Sequence, residues 1–261
     1  MLPHALERVP AWAGGWREHG RMVLLLDFDG TLAPIVERPE LAAIPAATRA
    51  ALDRLMAMPG VEVAVVSGRG LADVRERAAI PGIAYAGNHG MEIEGAGLHR
   101  MHPDAVAARP VLEAAARRIE PELTGIPGAF LEDKGMTLSI HFRQTPADSH
   151  DEVRAAVESG AGDGLRVTSG KMVLEVRPRV DWDKGRAVLF LLDQMRPPPG
   201  APVLYLGDDR TDEDAFRALA RLGGAHEGVL IGDPAGETAA RSYLRDPEEV
   251  GVLFAALAGV G

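Results

Sequence analysis

Short unbroken apolar runs alternate along the chain with longer stretches of helical spacing. Residues 5–19 carry Trp12 and Trp16 on a helical pattern. Met22-Val23-Leu24-Leu25-Leu26 follows as a compact apolar run that stops at Asp27, the pattern of a strand buried on both faces. Residues 47–58 return to helical spacing through Leu52, Leu55 and Met56 and end at Pro59-Gly60. Residues 61–66 make a second buried strand, which stops at Ser67-Gly68-Arg69-Gly70. A helix over 71–79 and a short strand over 83–86 complete a β-α-β-α-β order, which predicts a parallel, doubly wound sheet.

The middle of the chain has a different rhythm. Residues 111–119 and 148–159 read as helices, and 130–134, 136–143, 165–168 and 172–177 as strands paired around Lys134-Gly135 and Ser169-Gly170. The order α-β-β-α-β-β predicts a small antiparallel sheet with helices on one face. After Pro178 the first rhythm returns: helix 185–195, strand 203–206, helix 213–221, strand 228–231 and closing helix 250–258. The expected architecture is α/β: a parallel-sheet core in residues 1–107 and 179–261, interrupted by a smaller α+β module over 108–178.

Composition narrows the partners. The 261 residues carry a net charge of −10 with few Lys/Arg clusters, so neither nucleic acid nor an anionic membrane is the expected partner. There is no cysteine, which excludes disulfides and thiolate metal sites. Residues 1–20 lack an apolar segment of the signal-peptide kind, and the run 252–258 is far shorter than the roughly 20 residues of a membrane span. The cytoplasm is the expected compartment, and a monomer or weak oligomer the expected state.

Three predicted strands end in polar residues suited to phosphate chemistry. In open α/β sheets ligands bind at that edge. Asp27-Phe28-Asp29-Gly30-Thr31 follows the first strand. A carboxylate at Asp27 can attack a phosphoryl group, and one at Asp29 can protonate the leaving oxygen and then activate water. The same residues also suit a turn in which Thr31 caps a helix. Ser67 and Gly68, at a strand end that opens a helix, suit a simple cap or an anion seat of hydroxyl and backbone N–H groups. Lys184 stands in the first turn of a helix, where the dipole disfavours a cation; it suits either a surface pair with Asp183 or a partner for Asp27 and phosphate. Asp208, Asp209, Asp212, Glu213 and Asp214 crowd the segment after the strand 203–206. An acidic helix start accounts for such a run, yet converging carboxylates also call for a cation. Oxygen ligands without His or Cys favour magnesium, with Asp208 as direct ligand and Asp209 and Asp212 as direct or outer ligands.

In this order the four motifs resemble those of the haloacid dehalogenase superfamily. Residues 87–92, 131–135, His141-Phe142-Arg143, 170–178 and 207–216 further resemble trehalose-6-phosphate phosphatases. The resemblance implies a Rossmann-like core with an inserted cap, and hydrolysis of trehalose 6-phosphate through an aspartyl-phosphate on Asp27. Asp29 would be general acid/base, with Thr31, Ser67, Gly68 and Lys184 at the phosphate. Mg²⁺ would sit on Asp27, the backbone carbonyl of Asp29, and Asp208. It implies sugar contacts from Lys134, His141, Arg143, Lys171 and Glu175 of the cap, and from Arg69 and His89 of the core. A cap also implies hinges, expected at Pro178 and over residues 100–110. Other readings are a phosphatase for sucrose 6-phosphate or a glycosyl-phosphoglycerate, a non-catalytic phosphosugar sensor, and a phosphate-accepting response regulator; the last predicts no inserted module.

Overall fold

A computed structural model describes residues 2–170 and 172–259. Its larger sheet is built outward from the first apolar run. Strand β1 (Met22–Leu26) is buried at every position. Side chains alternate across a strand. Met22, Leu24 and Leu26 therefore enter one apolar cluster while Val23 and Leu25 enter another. Such a run needs cover on both faces. Helices α1 (Ala5–His19), α2 (Ala46–Met56), α3 (Leu71–Ala78) and α9 (Pro247–Ala258) supply it on the first face. Helices α7 (Lys184–Met195) and α8 (Asp212–Leu222) supply it on the second. Truncating Leu24 to alanine in such packing costs about 2–5 kcal/mol.

The flanking strands are β2 (Val61–Val66), β3 (Ala84–Gly87), β4 (Glu92–Gly95), β5 (Leu98–Met101), β10 (Val203–Gly207), β11 (His226–Ile231) and β12 (Ser242–Leu244). The sheet order is β12-β11-β10-β1-β2-β3-β4-β5. Strands β12 through β3 run parallel, and β4 and β5 continue the sheet as an antiparallel hairpin. The chain winds outward from β1 in one direction first and in the other later. The switch point falls between β1 and β10, where a crevice opens at the strands' C-terminal ends.

Three features add to the sequence reading. The segment 100–110, expected as a hinge, ends strand β5 and forms helix α4 (Pro103–Ala107). The hairpin strands are four residues each, joined at Ala96-Gly97, and are too short to impose a period. Strand β12 has three residues and left no pattern at all.

The second sheet has the order β6-β7-β9-β8. Its strands are β6 (Phe130–Asp133), β7 (Leu138–His141), β8 (Leu165–Ser169) and β9 (Val173–Pro178), all antiparallel. Leu131, Leu138, Ile140, Leu174 and Val176 pack on helices α5 (Arg109–Leu123) and α6 (His150–Ala161). Alternation then sends Phe130, Glu132, Ser139, His141, Val173 and Glu175 to the opposite face. That face looks onto the crevice of the larger sheet. Asn88, just past β3, donates to the Lys134 carbonyl at 2.8 Å and accepts from Thr137 Oγ1 at 2.9 Å.

Candidate active site

Asp27 is the first residue beyond β1, and its carboxylate is nearly buried. Lys184 opens α7, with Asp183 as N-cap accepting from the Arg186 N–H at 2.8 Å. Its stem runs inward, and Nζ lies 2.8 Å from Asp27 Oδ1 and 2.7 Å from Asp212 Oδ1. The cation in a helix first turn is thus a buried partner for two carboxylates rather than a surface pair. Burial pushes the Asp27 carboxyl well above its usual range; Lys184 opposes that, and Asp212, Asp208 and Asp209 reinforce it. Burial also works against the Lys184 ammonium, but Asp212 and Asp27 outweigh it and hold the charge firmly.

Asp212 organises the loop after β10. Its Oδ2 accepts the N–H groups of Asp208 and Asp209, each at 3.0 Å, and Oδ1 accepts from Lys184 and, at 2.6 Å, from Tyr205 OH. Asp209 Oδ1 accepts from the N–H and the hydroxyl of Thr211, both at 2.7 Å. Although burial alone would raise it, Lys184 and these hydrogen bonds bring the Asp209 carboxyl down to about 2. One oxygen from each of Asp27, Asp208 and Asp212 lies within 4.8 Å of the others. Gly30 makes room for this approach: its φ is +79°, and a Cβ there would lie 2.1 Å from Asp208 Oδ2.

Asp29 points elsewhere. Both its oxygens are taken by Arg69, through Nε at 2.6 Å and Nη2 at 2.7 Å. Arg69 also holds Asp73 at 2.6 Å and the Pro39 carbonyl at 2.9 Å. Ser67 is buried, with Oγ accepting from the Arg69 N–H at 3.1 Å. Thr31 is fully buried, and its hydroxyl is a polar atom with no protein partner.

The second sheet meets these residues from above. His89 Nε2 lies 3.1 Å from Glu175 Oε2, and Lys134 Nζ donates to the Gly68 carbonyl at 3.3 Å. Gly68 is fixed by close approach, since a Cβ there would meet the His89 ring at 2.8 Å. Burial lowers the His89 imidazole below its usual range, against the pull of Glu175. Glu175 is held well below the usual carboxylate range, its burial outweighed by His89, Arg177 and Lys134. His141 pairs with Glu132 at 2.7 Å. Asp29, Arg69, Lys134, His141, Arg143 and Asp209 all line one cleft of about 430 Å³ between the two sheets. Lys171, expected among the sugar contacts, lies outside the described residues.

Three residues with places in this site escaped the sequence reading. Asn88 bridges the two modules from a left-handed backbone (φ 48°), for which Asn between glycines is a local signal. Tyr205 is the one phenol in an apolar strand, and a buried hydroxyl needs a partner. Glu132 lies on β6, two residues before Lys134, which follows the strand's end.

A doubly wound sheet with a DxDGT strand end, a facing lysine and an acidic loop, carrying an inserted antiparallel module, is the architecture of haloacid dehalogenase-like phosphatases. Residues 25–248 match the family described as trehalose-phosphatase, and the chain belongs to that family. The trehalose-phosphate phosphatase of Mycobacterium avium (strain 104) is 44% identical over 235 residues, covering 88% of this chain and 59% of that protein. That of Mycobacterium tuberculosis (strain H37Rv) is 45% identical over 204 residues, covering 77% and 52%. The chain thus spans little more than half the length of these relatives. Among solved structures, the C-terminal domain of Candida albicans trehalose-6-phosphate phosphatase has the same fold, with TM-score 0.83, 24% identity and 99% and 98% coverage. Aspergillus fumigatus trehalose-6-phosphate phosphatase, crystal form 3, is 26% identical with TM-score 0.65 over the whole of both chains.

Proposed function

We propose that this protein hydrolyses trehalose 6-phosphate to trehalose and inorganic phosphate. The observation that carries the reading is the convergence of the Asp27, Asp208 and Asp212 carboxylates with Lys184 at the switch point, beneath the polar face of a second sheet. The trehalose-phosphatase family and its relatives supply the substrate.

In the proposed reaction an Asp27 oxygen attacks phosphorus, and the bond to the sugar oxygen breaks. Asp29 gives its proton to the departing oxygen. Asp29 then takes a proton from water, which attacks the aspartyl-phosphate and frees phosphate and Asp27. Both Asp29 oxygens are engaged by Arg69 here, so Asp29 must turn off the guanidinium to reach the ester. Ser67, Thr31, Gly68 and Lys184 seat the phosphate, and the unpartnered Thr31 hydroxyl is a donor left for it.

The donor set fits a hard divalent cation such as Mg²⁺, being carboxylate oxygen without sulfur or imidazole. Asp27 and Asp208 would hold it with the Asp29 carbonyl. Asp212, saturated by four donors, would orient them, and Asp209 would fix the loop. Such a cation offsets the repulsion between the Asp27 and phosphate anions. Residues 108–178 would serve as the cap, reading the sugar through Lys134, His141, Arg143, Lys171 and Glu175, with His89 and Arg69 below. Among the described residues no helix is long and apolar enough to cross a membrane.

The test is phosphate release from trehalose 6-phosphate by the wild type and Asp27→Asn, with Mg²⁺ and after chelation. The reading expects turnover only by the wild type with metal; an active Asp27→Asn would contradict it.

A further inference from the structure

Most of the second sheet's inner face is charged or hydroxylic, but one row of it is not. Pairing sets Phe130 opposite His141 and His141 opposite Val173. The next row, Glu132, Ser139 and Glu175, is the one that reaches the core, through Glu175 and His89. The Phe130 row therefore lies one pleat repeat further from Asp27. Phe130 is half exposed, at 51%, an unusual state for a phenyl ring on a strand whose neighbour Leu131 packs inward. Its ring lies nearly parallel to His141, at 19° and 4.7 Å between centroids, which covers one face. His141 is in turn fixed by Glu132 at 2.7 Å. The ring lines the same cleft as Asp29 and Arg69, and so does Ile35, 43% exposed, on the loop that follows the DxDGT strand end.

We infer that Phe130 is a specificity-determining contact: its open face packs against the C–H face of the sugar ring that does not carry the phosphate, with Ile35 as the apolar group across the cleft. The inference rests on the proposed phosphosugar reading. A pyranose presents hydroxyls at its rim and C–H groups on its faces, so a site reading it needs both kinds of surface. The row at Glu132 and Glu175 offers hydrogen-bonding groups near the phosphorylated end. The row at Phe130, one pleat repeat further out, offers the apolar surface. A rigid ring backed by His141 loses little freedom on binding, and one face of it stays in water until a ligand covers it. A monosaccharide phosphate seated on Asp27 would not extend to this row. The site therefore discriminates by length.

The experiment compares kcat/KM for trehalose 6-phosphate and glucose 6-phosphate in the Mg²⁺-loaded wild type, Phe130→Ala and Phe130→Tyr. Phe130→Ala should lose about tenfold on trehalose 6-phosphate, equivalent to about 1.4 kcal/mol, and little on glucose 6-phosphate. Phe130→Tyr should restore the preference. Equal losses on both substrates, or no loss on either, overturns the inference while the wild-type preference for the disaccharide stands. A wild type without that preference overturns the substrate reading and this inference together. Because Phe130 is half exposed, its truncation leaves the apolar cluster beneath the sheet intact, and matching thermal midpoints confirm that the variants are folded.

Discussion

Lys184 Nζ lies 2.8 Å from Asp27 Oδ1, and both side chains are almost completely withdrawn from water. Removing one partner of a buried pair strands the other, at a cost of about 3–5 kcal/mol. Lys184→Ala strands both Asp27 and Asp212, so its unfolding free energy from urea denaturation should fall by at least that much, with phosphate release abolished. An inactive variant of wild-type stability would mean that the ammonium contributes to chemistry alone.

Gly30→Ala should damage the site through geometry without touching a charge. The φ of +79° is strained for any L side chain, and the new Cβ would push on Asp208 Oδ2. The expected results are about 1–3 kcal/mol of destabilisation and about a 10²-fold loss of kcat, since small displacements of reacting groups are costly. Steady-state kinetics with a denaturation curve checks both. Unchanged kcat would show that Asp208 need not sit against Gly30.

Arg69→Lys separates two roles. The guanidinium grips both Asp29 oxygens and Asp73, a fork that an ammonium cannot reproduce. If Arg69 positions Asp29, kcat should fall for trehalose 6-phosphate and for a simple aryl phosphate alike. A loss confined to trehalose 6-phosphate would instead make Arg69 a sugar contact, as the family resemblance implies.

The His89–Glu175 contact between the modules predicts a pH effect of definite sign. Burial and the charges of Arg177 and Lys184 lower the His89 pKa, against the pull of Glu175. The unfolded chain therefore takes up the proton first as pH falls. The stability is fully present above the ordinary value of about 6.5 and is lost as pH drops below it toward the lower folded value. Between pH 7 and pH 5 the wild-type urea midpoint should fall more than that of His89→Gln. Parallel curves would remove His89 as a contributor.

The parallel core was legible because its strands are buried on both faces. The run Met22 to Leu26 can only be such a strand, and it delivers Asp27 to the sheet edge. The charge conflict at Lys184, a cation in a helix first turn, left a surface pair with Asp183 and a buried partner both open, and only the fold brings Nζ to Asp27 and Asp212. What was not legible is what depends on long-range pairing. Arg69 reads as a residue beside a phosphate seat, and only the approach of the loop after β1 reveals its grip on Asp29. Hairpin β4–β5 and strand β12 are too short for any period to register. The half-exposed state of Phe130 was not legible either, because an alternating strand does not say which of its faces is covered.

The most direct test of the account is phosphate release from trehalose 6-phosphate, sucrose 6-phosphate and a simple aryl phosphate at matched concentrations, with Mg²⁺ present. The account predicts a kcat/KM for trehalose 6-phosphate at least about tenfold above either of the others, a difference of about 1.4 kcal/mol in transition-state binding. Equal values across the three esters would contradict it.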